Sequence, residues 1–308
     1  MTKEKCFDSV QVFGEVLFDV FPDQKRVLGG APFNVACHLK GFGLDPLFMS
    51  RVGNDDLGKE AVRAMDSWSL CLCGLQLDKV RPTGTVRIRF KDDEPSYDIK
   101  DNVAYDYIAW EMPNLPGSRG AGLIYHGTLA ARNQVSAQSL YKMIQSNGSC
   151  VFCDINLRDP WWSTKLVRDI LSWCSYLKVN EDELRVVADV SGIGGSSDIR
   201  KTARALQLKH NLKCLIVTLG SQGAGLYPAG EDDYFSEAPE VSGFQDSVGA
   251  GDAFSSVFLL GLVEAWPWEQ ILARAVYFAA RICQVKGAVP KDRSLYRSIR
   301  QKWEQEHA

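Results

Sequence analysis

The sequence has no long apolar run. Nothing in its 308 residues approaches about 18 consecutive apolar positions, so no membrane-spanning helix is expected. It has no surplus of charge either. Its 35 lysines and arginines face 38 aspartates and glutamates, a net −3 without a basic stripe, which sets nucleic acid aside as a partner. The opening, MTKEKCFDSVQVFGEVLFDV, shows neither a continuous apolar stretch nor a small-residue cleavage site. No signal peptide is expected there, and a cytoplasmic protein is the reading. Histidine is scarce. His38, His126, His210 and His307 show no HxxxH or HExxH spacing, so a protein-ligated zinc site is not expected. Repeats, low-complexity tracts and linkers rich in Pro, Gly or Ser are absent as well.

Cysteine is not scarce, but its use is plain. Nine cysteines, an odd number without a secretory signal, point to reduced thiols rather than a disulfide framework. CVFC, Cys150 to Cys153, is formally a CxxC, yet it reads as a strand. Positions i and i+3 of a strand face opposite sides, so these are expected to be core thiols. Cys71 and Cys73 can share a face, but no second ligand pair accompanies them.

What is present is alternation. Strand-like runs appear at VQVFGEVLFDVF, GLIYHGTL, CVFCDIN, SYLKVN and KCLIVTLG. Helical stretches lie between them: NVACHLKGFG, GKEAVRAMDSW, NQVSAQSLYKMIQS, STKLVRDILSW and DIRKTARALQLKH. This order predicts an α/β fold with a mostly parallel sheet flanked by helices. Three helices are expected after Gly249, over 249–264, 268–286 and roughly 293–306. One segment breaks the order. Leu75 to Ile108 reads as strands joined by turns, with TVRIRF alternating apolar and charged residues and KDDEP as a turn signal. Together with the run around Val16–Val20 it is expected to form a small separate sheet, serving as a lid or a dimer contact.

The chemistry concentrates in DSVGAGDAF, Asp246 to Phe254, which runs directly into an apolar helix. The first N–H groups of a helix have no internal partner, and the macrodipole is positive there, so the glycine run suits phosphate. Asp252, in the same turn, suits acceptance of a proton from a hydroxyl. An anion hole beside one base is what phosphoryl transfer to an alcohol needs. Taken singly, Asp246 and Asp252 are equally well read as helix caps; the ordered set is the specific signal. Other nucleotide motifs fail. GxxxxGK[ST] is absent, and GSQGAG, Gly220 to Gly225, is followed by a strand and turn rather than by the helix a dinucleotide fold requires.

Over essentially its whole length the chain resembles the PfkB/ribokinase family of carbohydrate kinases, and most of all its fructokinase branch. GGAPFNVA, Gly29 to Ala36, is similar to the family's amino-terminal sugar motif, and DSVGAGDAF to its carboxy-terminal signature about 220 residues later. NEDE, Asn180 to Glu183, resembles the NxxE motif, and VTLGSQGA the nucleotide-side strand and loop. PTGTV and VAYD look like lid strands of fructokinase-type members. The resemblance implies a ribokinase-like three-layer sandwich, one kinase domain over 1–308, with a lid formed by about 15–20 and 75–108. It implies ATP-dependent transfer to a primary sugar hydroxyl, with fructose as the first candidate. Acceptors such as 2-keto-3-deoxygluconate, ribose or a nucleoside, and a non-catalytic sugar-binding regulator, stay open.

The resemblance also implies roles. Asp252 is the general base, and the N–H groups of Gly249, Ala250 and Gly251 form the anion hole. Asp19, Gly29, Gly30 and Asn34 hold the sugar, with Asn156 and Arg158 assisting. Thr218, Gly220 and Gly223 line the nucleotide pocket, near VKGAVP. Asn180 and Glu183 organise magnesium, Glu183 through water. Asp246 is placed to serve a monovalent cation, but Lys291 stands where a serine ligand is looked for, which argues against potassium activation. A homodimer through the lid sheet is a further expectation.

Overall fold

The computed structural model describes residue 7 and residues 9–91, 94–110, 122–194 and 198–305. A nine-stranded sheet forms the middle layer. Its strands are β1 (Val10–Phe13), β4 (Leu47–Gly53), β5 (Leu75–Asp78), β8 (Leu123–His126), β9 (Cys150–Asp154), β10 (Tyr176–Asn180), β11 (Cys214–Thr218), β12 (Ala224–Pro228) and β13 (Tyr234–Ser236). They lie in the order β13-β12-β11-β10-β9-β8-β1-β4-β5. All neighbours pair in parallel except β11–β12 and β12–β13. Strands buried on both faces read as continuous apolar runs, which is why LIYH and CLIVT are legible as strands.

A second sheet stands apart, in the order β3-β2-β6-β7. It joins β2 (Leu17–Val20), β3 (Arg26–Gly29), β6 (Gly84–Lys91) and β7 (Glu94–Ile99). Two parts of the expected small sheet are corrected, and one strand is added to it. Leu75–Asp78 pairs in parallel with β4 and closes one edge of the main sheet instead. The VAYD segment, Val103 to Asp106, is no strand: it caps and enters a single turn of 3-10 helix, Ala104–Tyr107, with Ala104, Tyr105 and Asp106 buried. Arg26–Gly29, which had no strand signal, pairs with β2. Of the KDDEP turn, Asp92 and Asp93 lie outside the described residues.

Helices cover both faces of the main sheet. On one side α1 (Ala31–Gly41), α7 (Ala250–Val263), α8 (Trp268–Ile282) and α9 (Ser294–Gln305) share a core with Val12, Tyr125, Phe152 and Ile216. On the other, α4 (Thr164–Trp173), α5 (Glu181–Val190) and α6 (Ile199–Lys209) pack on Cys153, Leu177 and Leu215. Helices α2 (Asp56–Ser67) and α3 (Gln134–Asn147) complete the layers. Their starts follow side-chain caps: Asp55 accepts from Gly58 N, and Asn133 from Val135 N.

The cysteines bring one correction. Cys71 and Cys73 are joined by a disulfide, so the thiols are not all reduced. Cys37, Cys150, Cys153, Cys174, Cys214 and Cys283 are free. Cys153 and Cys150 pack against different cores on opposite faces, as strand geometry requires.

Candidate active site

The chain order reverses beside β1, which lies between β8 and β4. In open α/β sheets such a switch opens a crevice at the carboxyl ends of the strands. Five of these ends carry candidate residues, Glu15 after β1, Thr128 after β8, Asp154 closing β9, Asn180 closing β10 and Thr218 closing β11, and the start of α7 adds its own.

The start of α7 is built by glycine. Gly249 is the N-cap residue at φ +82, and a Cβ there would meet Ala288 Cα at 2.5 Å. No side chain caps this helix. Ala250 N–H is turned onto Ser247 O at 3.2 Å, so it is not open to a ligand. The described hydrogen bonds use none of the N–H groups of Gly249, Gly251 and Asp252.

Asp252 carries the carboxylate of this turn. Asn34 Nδ2 donates to Asp252 Oδ2 at 2.8 Å, tying α7 to α1. The side chain keeps partial exposure. Even so, desolvation by the surrounding protein raises its pKa from the ordinary 3.8 to about 7. The Asn34 bond opposes that rise, Asp154 adds to it, Lys178 opposes it and Glu15 adds to it. A carboxylate poised near neutrality is suited to accept a proton at physiological pH.

Beneath this turn lies an ion pair that sequence reasoning missed. Lys178 Nζ donates to Asp154 Oδ2 at 2.7 Å, with side chains 7% and 5% exposed. Ser255 Oγ donates to the same oxygen at 3.0 Å. A Cβ on Gly251 would come within 3.3 Å of Lys178 Nζ, so the cation backs directly onto the glycine run. The signal was a lysine inside the buried strand YLKVN, where charge is costly unless paired.

The sugar-motif residues also come together. Gly30 is the N-cap of α1 at φ +111, and a Cβ there would strike Glu15 O at 2.6 Å. Asp19 Oδ2 lies 3.8 Å from the position of a Cβ on Gly29. Asn34 stands one turn into α1, and its Oδ1 is buried without a hydrogen-bond partner among the described residues. Desolvation raises the Asp19 pKa, and the nearby Arg158 opposes it. Arg158 is exposed, just past Asn156, whose φ of +39 turns the chain after β9.

On the nucleotide side, Asn180 and Glu183 form a capping box for α5. Asn180 Oδ1 accepts from Glu183 N at 2.8 Å, and Glu183 Oε2 from Asn180 N at 2.8 Å. Glu183 Oε1 accepts from Leu157 N at 2.9 Å, and desolvation raises its pKa. Among the described residues no group of three or more His, Cys, Asp or Glu is placed to hold a metal. The oxygens of Asn180 and Glu183 are hard donors that already accept backbone N–H bonds, a chemistry that fits contact with a hydrated ion through water. Gly223, at φ +108, lies against Ser236 O where any Cβ would collide, and Thr218 and Gly220 share its loop. Asp246 Oδ1 accepts from Val248 N at 3.0 Å. His38, one turn beyond Asn34, donates from Nε2 to Ala288 O at 3.1 Å and accepts at Nδ1 from Tyr296 at 2.9 Å. Burial pushes its pKa down to about 3, so it is neutral.

Comparison with known proteins agrees with this geometry. Residues 9–293 match the pfkB family of carbohydrate kinases. The Escherichia coli fructokinase is 27% identical over 266 residues, covering 82% of this chain and 84% of that protein. Fructokinase-2 of Zea mays is 27% identical over 310 residues, covering 90% and 89%. The fructokinase of Vibrio cholerae O395, solved with fructose, ADP and calcium, superposes with a TM-score of 0.77 at 25% identity, over 95% of this chain and 99% of that one. Xylella fastidiosa fructokinase with bound ATP gives 0.82 at 20% identity, over 96% and 99%. A match to residues 9–293, carrying a glycine-built helix start with its own carboxylate, places the chain in the pfkB family of carbohydrate kinases.

Proposed function

We propose that this kinase transfers the γ-phosphoryl group of ATP to a primary hydroxyl of a sugar, with fructose the first candidate. One observation carries the reading: Asp252, with a pKa raised to about 7, is held by Asn34 at the glycine-built start of α7. Asp252 takes the proton of the acceptor hydroxyl as that oxygen forms its bond to the γ-phosphorus. The bond from phosphorus to the bridging oxygen breaks, and ADP leaves. The open N–H groups of Gly249, Gly251 and Asp252 face the charge that spreads over the transferring group. Lys178 adds positive potential from behind Gly251. Asn180 and Glu183 would hold a hydrated magnesium ion, which supplies charge neutralisation for the phosphates when bound. Asp19, Gly29, Gly30, Asn34 and Arg158 orient the acceptor. The small sheet, which carries Asp19, acts as a lid that excludes water and limits idle ATP hydrolysis.

The relatives' names support fructose among sugars. The test is an ADP-release assay with magnesium-ATP across fructose, glucose, ribose, 2-keto-3-deoxygluconate and adenosine. Turnover fastest with fructose is expected. Turnover on another acceptor reassigns the substrate, and none on any of the five rejects the reading.

A further inference from the structure

Three buried polar atoms on the sugar side have no hydrogen-bond partner among the described residues: Glu15 Oε2, Tyr105 Oη and Arg132 Nη1. Glu15 is 4% exposed, Tyr105 0%, and the Arg132 side chain 5%. They reach one region from separate segments: the turn after β1, the single helical turn Ala104–Tyr107, and the turn Ala130–Arg132. Buried polar groups are rarely left unpaired, and losing a partner costs more than the bond returns.

Arg132 is held rigidly. Its Nε and Nη2 chelate Asp106 at 2.7 and 2.9 Å, and Nη2 also reaches Lys100 O. Its guanidinium stacks 4.3 Å from the Trp161 ring and 5.1 Å from the Tyr105 ring. Its Nη1 is left over. Tyr105 is held by the small sheet, because Gly84 of β6 leaves the room its ring needs; a Cβ there would meet Tyr105 Cε1 at 2.4 Å. Glu15 adjoins the sugar motif, its backbone oxygen lying 2.6 Å from where a Cβ on Gly30 would stand, and its charge is felt by Arg132, Tyr105 and Asp252 alike.

The chemistry is that of a hydroxyl reader. Arg132 Nη1 donates, Glu15 Oε2 accepts, and the Tyr105 hydroxyl does either. The charge balance speaks against an anion, because the Arg132 guanidinium is already paired with Asp106 and has no net positive charge to offer one. We propose that Glu15, Tyr105 and Arg132 read acceptor hydroxyls remote from the reacting one, and that the site takes an uncharged polyhydroxy sugar rather than a sugar acid. This deepens, and rests on, the acceptor end assigned above.

Titration calorimetry of wild type, Glu15→Gln and Tyr105→Phe tests it, using fructose, ribose, glucose, the monodeoxyfructoses, 2-keto-3-deoxygluconate and ATP. Both variants should bind fructose about 10-fold more weakly and ATP unchanged. Each penalty should vanish for the one deoxy analogue lacking the hydroxyl that is read. The sugar acid should bind wild type at least about 10-fold more weakly than the best uncharged sugar. A penalty equal for every analogue shows a merely structural role and overturns the proposal. So does unchanged fructose affinity in both variants, or wild type preferring the acid or binding none of the three uncharged sugars. Fructose bound as described but never phosphorylated defeats the proposed reaction and leaves this inference standing.

Discussion

Replacing Asp252 by Asn should destroy turnover and stabilise the protein. The catalytic half follows from basicity: an amide cannot take the acceptor's proton, and losing a general base costs about 10²–10⁴ in rate. The stability half follows from burial. The folded-state pKa is raised from 3.8 to about 7, so the folded protein keeps its proton where the unfolded chain has released it. The unfolded state therefore binds fewer protons between these values, and stability falls as pH rises through that window. Above pH 7 the full cost is in place, about 4 kcal/mol at most. Partial exposure of Asp252 lets water screen it, so about half is a fair working figure. At about 2–4 °C per kcal/mol, that is a Tm roughly 4–8 °C higher for the variant at pH 8. The gain should shrink steadily towards pH 5. Calorimetric melts of both proteins across that range decide it. A Tm difference of the same size at both pH values, or a less stable variant at pH 8, would refute the reasoning. So would a variant keeping more than half of the wild-type kcat.

Asn34→Ala should raise sugar KM and also move the acid limb of the wild-type kcat profile, expected near pH 7, to higher pH, because its bond holds the Asp252 pKa down; Asp19→Ala should raise KM without moving the limb. Lys178→Met should destabilise by about 3–5 kcal/mol in denaturant melts, with most of it recovered when Asp154 is also made Leu, since an unpaired buried carboxylate is the cause. Gly249→Ala should cost about 1–3 kcal/mol of backbone strain and abolish ADP release, because φ +82 and Ala288 leave no place for a methyl. Saturating fructose should slow hydrogen exchange in the described backbone of Gly84–Ile99; unchanged exchange rules out a lid that closes on sugar.

The central strands and most helices were legible because burial on both faces or on one stripe leaves a periodic apolar record. The last three helices fall within a few residues of expectation. Strand β4 was not legible, since Ser50 and Arg51 break its run; Arg51 is there to reach Asp78 at 2.9 Å on the neighbouring edge strand. Leu75–Asp78 looked like part of a hairpin because its partner β4 lies some twenty residues earlier, beyond any local pattern. The site divides the same way. Glycines, Asp252 and Asn34 occur in ordered motifs, whereas Lys178, Glu15 and Arg132 stand alone in the chain and acquire meaning only from neighbours that folding supplies.

Helix α1 holds Asn34 against the base on one turn and His38 against Ala288 on the next, and Ala288 packs on the Gly249 cap. A single rod thus touches both half-sites. On the proposed reaction, a displacement that a sugar imposed on its first turn would reach the helix start that receives the phosphates through these contacts. Binding energy is then shared rather than local, and reciprocity follows: whatever factor the nucleotide adds to sugar affinity, the sugar returns to nucleotide affinity. The neutral imidazole of His38, bonded to Tyr296 on one side and to Ala288 on the other, is the joint through which such a coupling would run.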